Sequence, residues 1–146
     1  MYQAISRDER IAAEWACERL IKQFAQFNDA QDHDGIAELF VEDGRFSRPL
    51  APDDYFEGRE AIRAMFRDRP KRLALHIMTT ILIEQTSAST ARGRCYLAYV
   101  SNGDASAAQP APIEGGPMYG QFDDEFVLTS EGWRFSSRRG SIVIKG

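Results

Sequence analysis

The chain has 146 residues, 43% of them hydrophobic, and a formal net charge of −4 at pH 7, which suits a single globular domain over residues 1–146. Acidic and basic residues are interleaved, which argues against a nucleic-acid surface, and no apolar run approaches the ~20 residues of a membrane span. Because the N-terminal segment also lacks the basic and apolar regions of a signal peptide, we expect a cytoplasmic protein that binds neither nucleic acid nor membranes.

The N-terminal region predicts a long helix. Ser6 and Glu9 have the spacing of a capping box, in which the serine hydroxyl accepts from the amide three residues later. Apolar residues then recur at helical spacing as far as Phe27. The polar segment 28–35 interrupts this pattern, since Asn and Asp side chains compete for backbone hydrogen bonds and favour caps and turns. We therefore expect the first helix to end near Phe27.

Two shorter helices follow the first one. Residues 36–40 predict a short helix with Asp34 as its N-cap. Residues 42–49 predict a turn and a short strand. Gly58 precedes a third, amphipathic helix, and Pro70 ends it because proline cannot continue the helical hydrogen bonding.

The C-terminal half has the composition of a β-sheet. β-branched and aromatic residues dominate the segments 73–85, 90–101, 118–129 and 133–144, which we expect to form strands. The segment 102–117 predicts a long loop that could act as a lid. Because three helices precede antiparallel strands, the order favours an α+β fold with helices on one face of a curved sheet, whose interior can be a pocket.

Metal and disulfide chemistry have little support in the sequence. The chain has two cysteines, Cys17 and Cys95, which do not make a disulfide framework or a zinc site. His33 and His76 are the only histidines, and no helix carries a His/Glu pair at ligand spacing. We therefore expect no metal site.

His76 lies in the middle of the first predicted strand, among apolar residues. Strand alternation places it on the same face as Met78 and Thr80. A neutral imidazole, with an ordinary pKa of about 6.5, can accept a proton at pH 7. The histidine is therefore either a core residue bonded to a backbone carbonyl or a proton acceptor in a pocket. In a pocket, Met78 and Thr80 would contact the substrate, although Met78 also suits a core position.

Other polar groups in the strands are candidate substrate contacts. Tyr96 and Tyr119 could donate a hydrogen bond to a substrate oxygen or simply fill space. Asp124 shares strand parity with Phe122 and Phe126, so a buried carboxylate there would need a partner. One of the two consecutive arginines in the last strand could supply that partner in a structural ion pair.

Four stretches of the chain, taken in order, resemble the SnoaL-like branch of the nuclear-transport-factor-two-like cone folds. They are FAQFNDAQDHDGIAELFVEDGRF, FEGREAIRAMF, LHIMTT and FDDEFVLTSEGWRFSSRR, which begin at residues 24, 56, 75 and 122. The resemblance extends from about residue 8 to residue 140. It implies a curved mixed or antiparallel sheet that about three helices wrap into a cone enclosing a pocket.

The same resemblance implies a site inside the cone. In dehydratase-like members a His–Asp pair abstracts a proton, and the matching residues here are His76 and Asp29. The pairing suits the chemistry, because a carboxylate fixes the histidine tautomer and stabilises the imidazolium that forms. A continued first helix would turn Asp29 toward water, so this interpretation requires the helix to end or turn near Phe27.

Three features depart from the family pattern. Scytalone-dehydratase-like members have a tyrosine where this chain has Asn28, and many members have an asparagine where it has Thr80. A second pocket histidine on the next strand is missing, and Arg94, Tyr96 and Tyr99 occupy that region instead. The group that would polarise a substrate carbonyl is therefore not the one used in that subfamily, and Asn28 joins the candidate substrate contacts.

The resemblance implies a cofactor-independent enzyme that acts on a small, mostly apolar cyclic or polyketide-like substrate. Proton abstraction by His76 and Asp29 would give elimination, isomerisation or cyclisation, of which we favour a lyase-type step. Two alternatives stay open. One is a non-catalytic binding domain or accessory subunit, like the small subunit of ring-hydroxylating oxygenases, and the other is an epoxide-hydrolase-like member using an Asp/Arg/Asp set. Cone folds of this type pair or trimerise through the outer sheet face, so we expect a homodimer or homotrimer.

Overall fold

Three helices and six strands follow one another through residues 4–146, the part of the chain that the computed structural model describes. Residues 1–3 of the predicted domain lie outside this range. The helices are α1 (Arg7–Asp29), α2 (His33–Glu38) and α3 (Arg59–Asp68). The strands are β1 (Phe40–Ser47), β2 (Tyr55–Glu57), β3 (Leu73–Gln85), β4 (Thr90–Asn102), β5 (Met118–Thr129) and β6 (Gly132–Lys145).

The strands form one sheet in the order β2-β1-β6-β5-β4-β3. β1 lies parallel to β6 and every other neighbouring pair is antiparallel, so the sheet is mixed. The apolar side of α1 packs against the inner face of this curved sheet, and Phe24 of the helix contacts Phe40 and Phe135 of the strands. The predicted α+β fold, with three helices on a curved sheet, is confirmed.

Helix α1 begins where the sequence predicts and ends later. The Ser6 hydroxyl accepts a hydrogen bond from the Glu9 amide at 3.1 Å. The helix continues past Phe27 to Asp29, so the predicted end was wrong. Asp29 nevertheless does not face bulk water, because the beginning of β3 packs along this side of the last helical turn. Helical periodicity predicts the side of the helix on which a residue lies, but it does not predict which other element packs against that side.

Helix α2 begins at His33, before the predicted position, and its N-cap is Asp32 rather than Asp34. The Asp32 carboxylate accepts from the Gly35 amide at 2.9 Å. Asp34 lies in the first turn and pairs with Arg63 of α3. The predicted cap was wrong because that aspartate binds a cation that is distant in the sequence.

Helix α3 begins after Gly58, whose φ of 94° is a conformation that glycine adopts without strain. It ends at Asp68, shortly before Pro70, and both boundaries agree with the prediction.

The sequence did not predict β2, because a strand of three residues is too short to show alternation. No helix in the described part of the chain has the length and apolar character that crossing a membrane requires.

A bulge interrupts the alternation of β3. The register with β4 shifts between Thr79 and Leu82, and Thr80 has a φ of 53°. His76 and Met78 are half-buried before the bulge, whereas Thr80 and Leu82 are exposed. The prediction that His76 and Thr80 share a face was wrong, because a residue inserted at a bulge reverses the parity of the strand beyond it.

The outer face of the sheet carries an apolar row. Ile77, Ala98, Tyr119 and Ile144 pair with one another across β3, β4, β5 and β6, and therefore point the same way. Ile77, Tyr119 and Ile144 are all exposed. The homodimer or homotrimer expected to form through this face stays a prediction.

A charged pair lies inside the core, formed by Asp124 of β5 and Arg138 of β6. Nε of Arg138 is 3.1 Å from an Asp124 oxygen, and neither side chain is exposed. The rings of Phe24 and Phe122 lie 4.4 and 3.9 Å from the guanidinium carbon. Burial raises the pKa of Asp124 to about 7, and Arg138 opposes that rise. The prediction that a buried Asp124 would need a partner is therefore consistent with the structure, in which Arg138 is that partner.

Replacing Asp124 with alanine should lower the free energy of unfolding by about 3–5 kcal/mol, because Arg138 would be left as an unpaired buried charge. Urea denaturation followed by circular dichroism measures the change. Asp123→Ala is the matched control, since its carboxylate binds the exposed Arg94 at 2.8 Å and water weakens such a pair. Equal losses in the two variants would contradict this account of the buried pair.

Candidate active site

An open cavity of about 620 Å³ lies between α1, α3 and the inner face of the sheet. Ligand pockets typically enclose roughly 300–1,000 Å³, have mostly apolar walls and carry a few convergent polar groups. Besides basic side chains, three polar side chains reach this wall, those of Asn28, His76 and Tyr99. The apolar part of the wall includes Phe24, Phe46, Phe66, Leu97 and Phe122.

His76 lines the cavity, and its imidazole is in direct contact with Asp29. Nδ1 of His76 is 2.6 Å from Oδ1 of Asp29. The same carboxylate accepts from the backbone amide of His76, with its two oxygens 3.1 and 3.2 Å from the nitrogen. The His76 side chain is 13% exposed and that of Asp29 is 21% exposed, so partial burial strengthens the interaction while the imidazole remains open to the cavity. The structure thus brings together the two residues that the resemblance matched to the proton-abstracting pair.

Asn28 and Arg69 determine which imidazole nitrogen carries the proton. The Arg69 guanidinium can only donate, and it contacts the side-chain oxygen of Asn28 and, at 3.4 Å, its backbone oxygen. The Asn28 amide nitrogen must therefore face His76, whose Nε2 lies 3.3 Å away. Because an amide nitrogen donates, Nε2 accepts and carries no hydrogen, so the hydrogen of the neutral ring is on Nδ1 and is donated to Asp29.

Nε2 of His76 is consequently the ring nitrogen that can take up a proton. Its contact with Asn28, at 3.3 Å, is long for a hydrogen bond, so the donor can be displaced without a large loss of free energy. Asp29 would stabilise the imidazolium formed when Nε2 becomes protonated. This arrangement can perform general base catalysis on a molecule bound in the cavity.

Tyr99 lies beside the histidine, whereas Tyr96, the predicted contact on the same strand, does not. The ring centroids of Tyr99 and His76 are 4.8 Å apart, and the two residues are partners across β3 and β4. The Tyr99 hydroxyl is buried and has no hydrogen-bond partner within residues 4–146. Leaving a buried donor unpaired costs free energy, which an oxygen atom of a ligand would recover. Alternation from the buried Cys95 and Leu97 was the signal that could have identified Tyr99.

Most of the other predicted substrate contacts lie away from the cavity. Tyr96 and Tyr119 point to the outer face, because the pleat of β4 and β5 turns them away from the core. Thr80 is exposed at the bulge. Met78 packs partly buried against the core without lining the cavity, and Asp124 is held by its arginine beneath the cavity wall. Of the predicted substrate contacts, only the asparagine described above lines the cavity.

The two thiols are not candidate nucleophiles. Burial raises the pKa of Cys17 to about 12 and that of Cys95 to about 11. Both groups stay protonated at neutral pH, whereas nucleophilic attack requires the thiolate. The candidate groups for acid–base chemistry are therefore the imidazole of His76, with the carboxylate bonded to it, and the phenol of Tyr99.

Comparison with protein families and solved structures identifies relatives of this fold. The model of the SnoaL-like domain family matches residues 9–139. A scytalone dehydratase-like protein from Novosphingobium aromaticivorans is 23% identical, and the alignment covers 97% of this chain and 91% of the other with a TM-score of 0.79. The hexachlorocyclohexane dehydrochlorinase LinA-type3 from Novosphingobium barchaimii is 15% identical, with coverages of 97% and 93% and a TM-score of 0.79.

A third solved structure shares this fold. An aromatic ring hydroxylase-like protein from Novosphingobium aromaticivorans is 19% identical, and the alignment covers 92% of this chain and 91% of the other with a TM-score of 0.74. Comparison with curated proteins gives no match. At these identities the solved structures establish the fold, and the function has to be argued from the site.

The tautomer of His76 can be measured directly. Long-range ¹H–¹⁵N correlation spectra at neutral pH should show Nδ1 protonated and Nε2 with the shift of an unprotonated nitrogen, because Asp29 accepts at one and Asn28 donates at the other. His33, which is half-buried and whose Nε2 lies 3.7 Å from an Asp34 oxygen, is measured in the same spectrum as the internal reference, because it lacks the contacts with Asp29 and Asn28. A protonated Nε2 on a neutral ring would contradict the assignment.

Proposed function

Because the chain belongs to the SnoaL-like domain family, and because the histidine of its Asp29–His76 pair lines the cavity, we propose that it is a cofactor-independent enzyme that abstracts a proton from carbon. The observation that carries this proposal is the 2.6 Å contact between Nδ1 of His76 and Asp29, which leaves Nε2 unprotonated at the cavity wall. The substrate class is a small cyclic or polyketide-like compound. The favoured outcome is elimination, with isomerisation and cyclisation as related outcomes of the same first step.

The proposed reaction begins when Nε2 of His76 takes a proton from a carbon next to a carbonyl group. The C–H bonding electrons become delocalised onto the carbonyl oxygen as an enolate, and Asp29 stabilises the new imidazolium. If a hydroxyl group occupies the β carbon, the enolate electrons form a C=C bond as the C–O bond breaks. The imidazolium then returns its proton to the departing oxygen, so that water leaves and the base is regenerated.

Tyr99 is the group that we assign to the carbonyl oxygen. Its buried hydroxyl lacks a partner in the described chain and lies on the neighbouring strand at the register of His76. A donor aimed at the oxygen where negative charge develops stabilises the transition state more than the ground state. The second pocket histidine of the family is missing in this sequence, and Tyr99 therefore takes its role.

A non-catalytic binding domain is the second candidate, and one observation favours it. Asn28 already donates to Nε2 of His76, so the imidazole is satisfied at both nitrogens without a substrate. In that case the cavity binds a small molecule and the His–Asp contact stabilises the fold. The epoxide-hydrolase-like alternative has less support, because the buried Asp124–Arg138 pair does not line the cavity.

Deuterium exchange tests proton abstraction without knowledge of the natural substrate. Cyclic ketones and β-hydroxy ketones are incubated with the protein in D₂O, and mass spectrometry measures deuterium uptake and loss of water. We expect enzyme-dependent exchange that His76→Ala and Asp29→Asn reduce by about 10²–10⁴-fold, as is typical for loss of a general base. His33→Ala is the matched control and should keep the full rate, because His33 lies on α2 and does not line the cavity.

Two outcomes would reject the enzymatic proposal. Exchange by His76→Ala at the rate of the unmodified protein would show that the imidazole is not the base. Binding of the same ketones without any exchange, preserved in the His76→Ala variant, would favour the binding domain instead. Circular dichroism of each variant checks that the fold is retained.

Tyr99→Phe should lower the exchange rate by about 10²–10³-fold, the usual effect of removing one donor to a developing oxyanion. KM should change much less than kcat, because the donor acts mainly in the transition state. Tyr96→Phe removes the same hydroxyl from the same strand on its outer face and should have no effect. Equal rates for the two variants would remove Tyr99 from the mechanism.

A further inference from the structure

Four basic residues line the cavity, Arg48, Arg69, Lys71 and Arg72, and we call them the basic rim. No aspartate or glutamate is among the residues lining this cavity, although the whole chain has 22 acidic residues against 18 Lys and Arg. Arg48, Lys71 and Arg72 are exposed, whereas Arg69 is half-buried. The solvent-facing part of the cavity is therefore positively charged in a protein that is acidic overall.

The basic rim has no ion-pair partner within residues 4–146. By contrast, Arg63 on the outside of α3 contacts three carboxylates. The Arg48 guanidinium lies 5.4 Å from the ring centroid of Phe56, and that of Arg72 lies 5.2 Å from the ring centroid of Tyr99. A guanidinium stacked on a ring is held in orientation while its N–H donors stay free to bind an anion.

Neighbouring cations without a carboxylate between them repel one another. Burial lowers the pKa of Arg69, and the charge of nearby Arg72 lowers it further, whereas Tyr99 and Asp29 oppose this decrease without cancelling it. A bound anion would offset this repulsion, whereas a neutral ligand would not. The electrostatics of the cavity therefore favour a negatively charged ligand.

We propose that the ligand is a cyclic carboxylic acid, whose carboxylate binds Arg48, Lys71 and Arg72 while its ring packs against Phe46 and Phe122. This inference rests on the proposed function, because it assigns the substrate class of the same cavity. A guanidinium fork matches the planar carboxylate with paired hydrogen bonds. The apolar remainder of the wall fits a ligand that is charged at one end only.

The position of the carboxylate constrains the rest of the substrate. A carboxylate does not acidify the neighbouring C–H bond enough for an imidazole to remove the proton, because the enolate formed would carry a second negative charge. The carbonyl group beside the reacting carbon is therefore a separate one, placed at Tyr99 and within reach of His76. The substrate class is a cyclic oxo acid, with its carboxylate at the basic rim and its ketone deeper in the cavity.

Binding of matched probes tests the charge preference. Benzoate, methyl benzoate and phenylphosphonate all carry one phenyl ring. Its substituent is a carboxylate in the first, a neutral ester in the second and a phosphonate in the third. Titrations followed by ¹H–¹⁵N spectra give the affinity of each. At low ionic strength benzoate should bind at least about tenfold more tightly than methyl benzoate, and salt should reduce this difference. Equal affinity for benzoate and its ester would overturn the proposal, and tighter binding of phenylphosphonate than of benzoate would overturn the choice of a carboxylate.

Variants of the basic rim test whether benzoate binds at these residues. Arg48→Gln combined with Arg72→Gln should weaken benzoate binding roughly fivefold to tenfold and leave methyl benzoate binding unchanged, since both side chains are exposed and water weakens their contribution. Arg92→Gln combined with Arg94→Gln is the matched control, because it removes the same charge from exposed residues that do not line the cavity. Equal weakening in both double variants would overturn the rim as the site.

The two proposals can fail separately. A preference for benzoate that depends on the basic rim, together with no deuterium exchange into any ketone, would keep the anion site and reject the enzymatic function. Exchange into neutral ketones, with no preference for benzoate, would keep the enzymatic function and reject the oxo acid. Arg69 is left unchanged in all these variants, because it orients Asn28.

Discussion

The contact between Asp29 and His76 is the interaction on which the candidate site depends. One carboxylate accepts both from the backbone amide of β3 and from the imidazole of the same residue. The last turn of α1 is thereby fixed against the sheet, next to the cavity. The same bond leaves Nε2 as the ring nitrogen open to a proton. Asn28, the preceding residue of the helix, contacts that other nitrogen, so two consecutive helical residues control both sides of one ring.

Periodic features of the sequence predicted the fold well, whereas features that depend on distant partners were missed. Helix starts at Ser6 and Gly58 and the four long strands follow from local spacing and propensity, and the structure agrees with them. Asp29 points where helical periodicity directs it, but only the packing of β3 shows that this side is covered. The inward direction of His76 likewise could not be chosen from a strand that is apolar on both faces.

The wrong predictions at the candidate site have physical causes of the same kind. Strict alternation predicts that Thr80 faces the pocket, but the bulge in β3 reverses the alternation before that residue. Alternation allows only one of Tyr96 and Tyr99 to point inward, and it is Tyr99, which shares its face with the buried Cys95 and Leu97. The basic rim was not visible at all, because Arg48 precedes α3 in the chain while Arg69 and Arg72 follow it. Only the folded chain brings their charges to one cavity.

Strand β3 is the last strand of the sheet, and its free side would expose backbone groups that can recruit a strand from another molecule. The amide of His76 points to that side and is bound by the carboxylate of Asp29. Helix α1 therefore covers part of the sheet edge at the position where the imidazole is held. The Asp29 side chain thus both protects the sheet edge from edge-to-edge aggregation and orients the His76 imidazole. Loss of this carboxylate would therefore lower the solubility of the protein as well as the basicity of its imidazole.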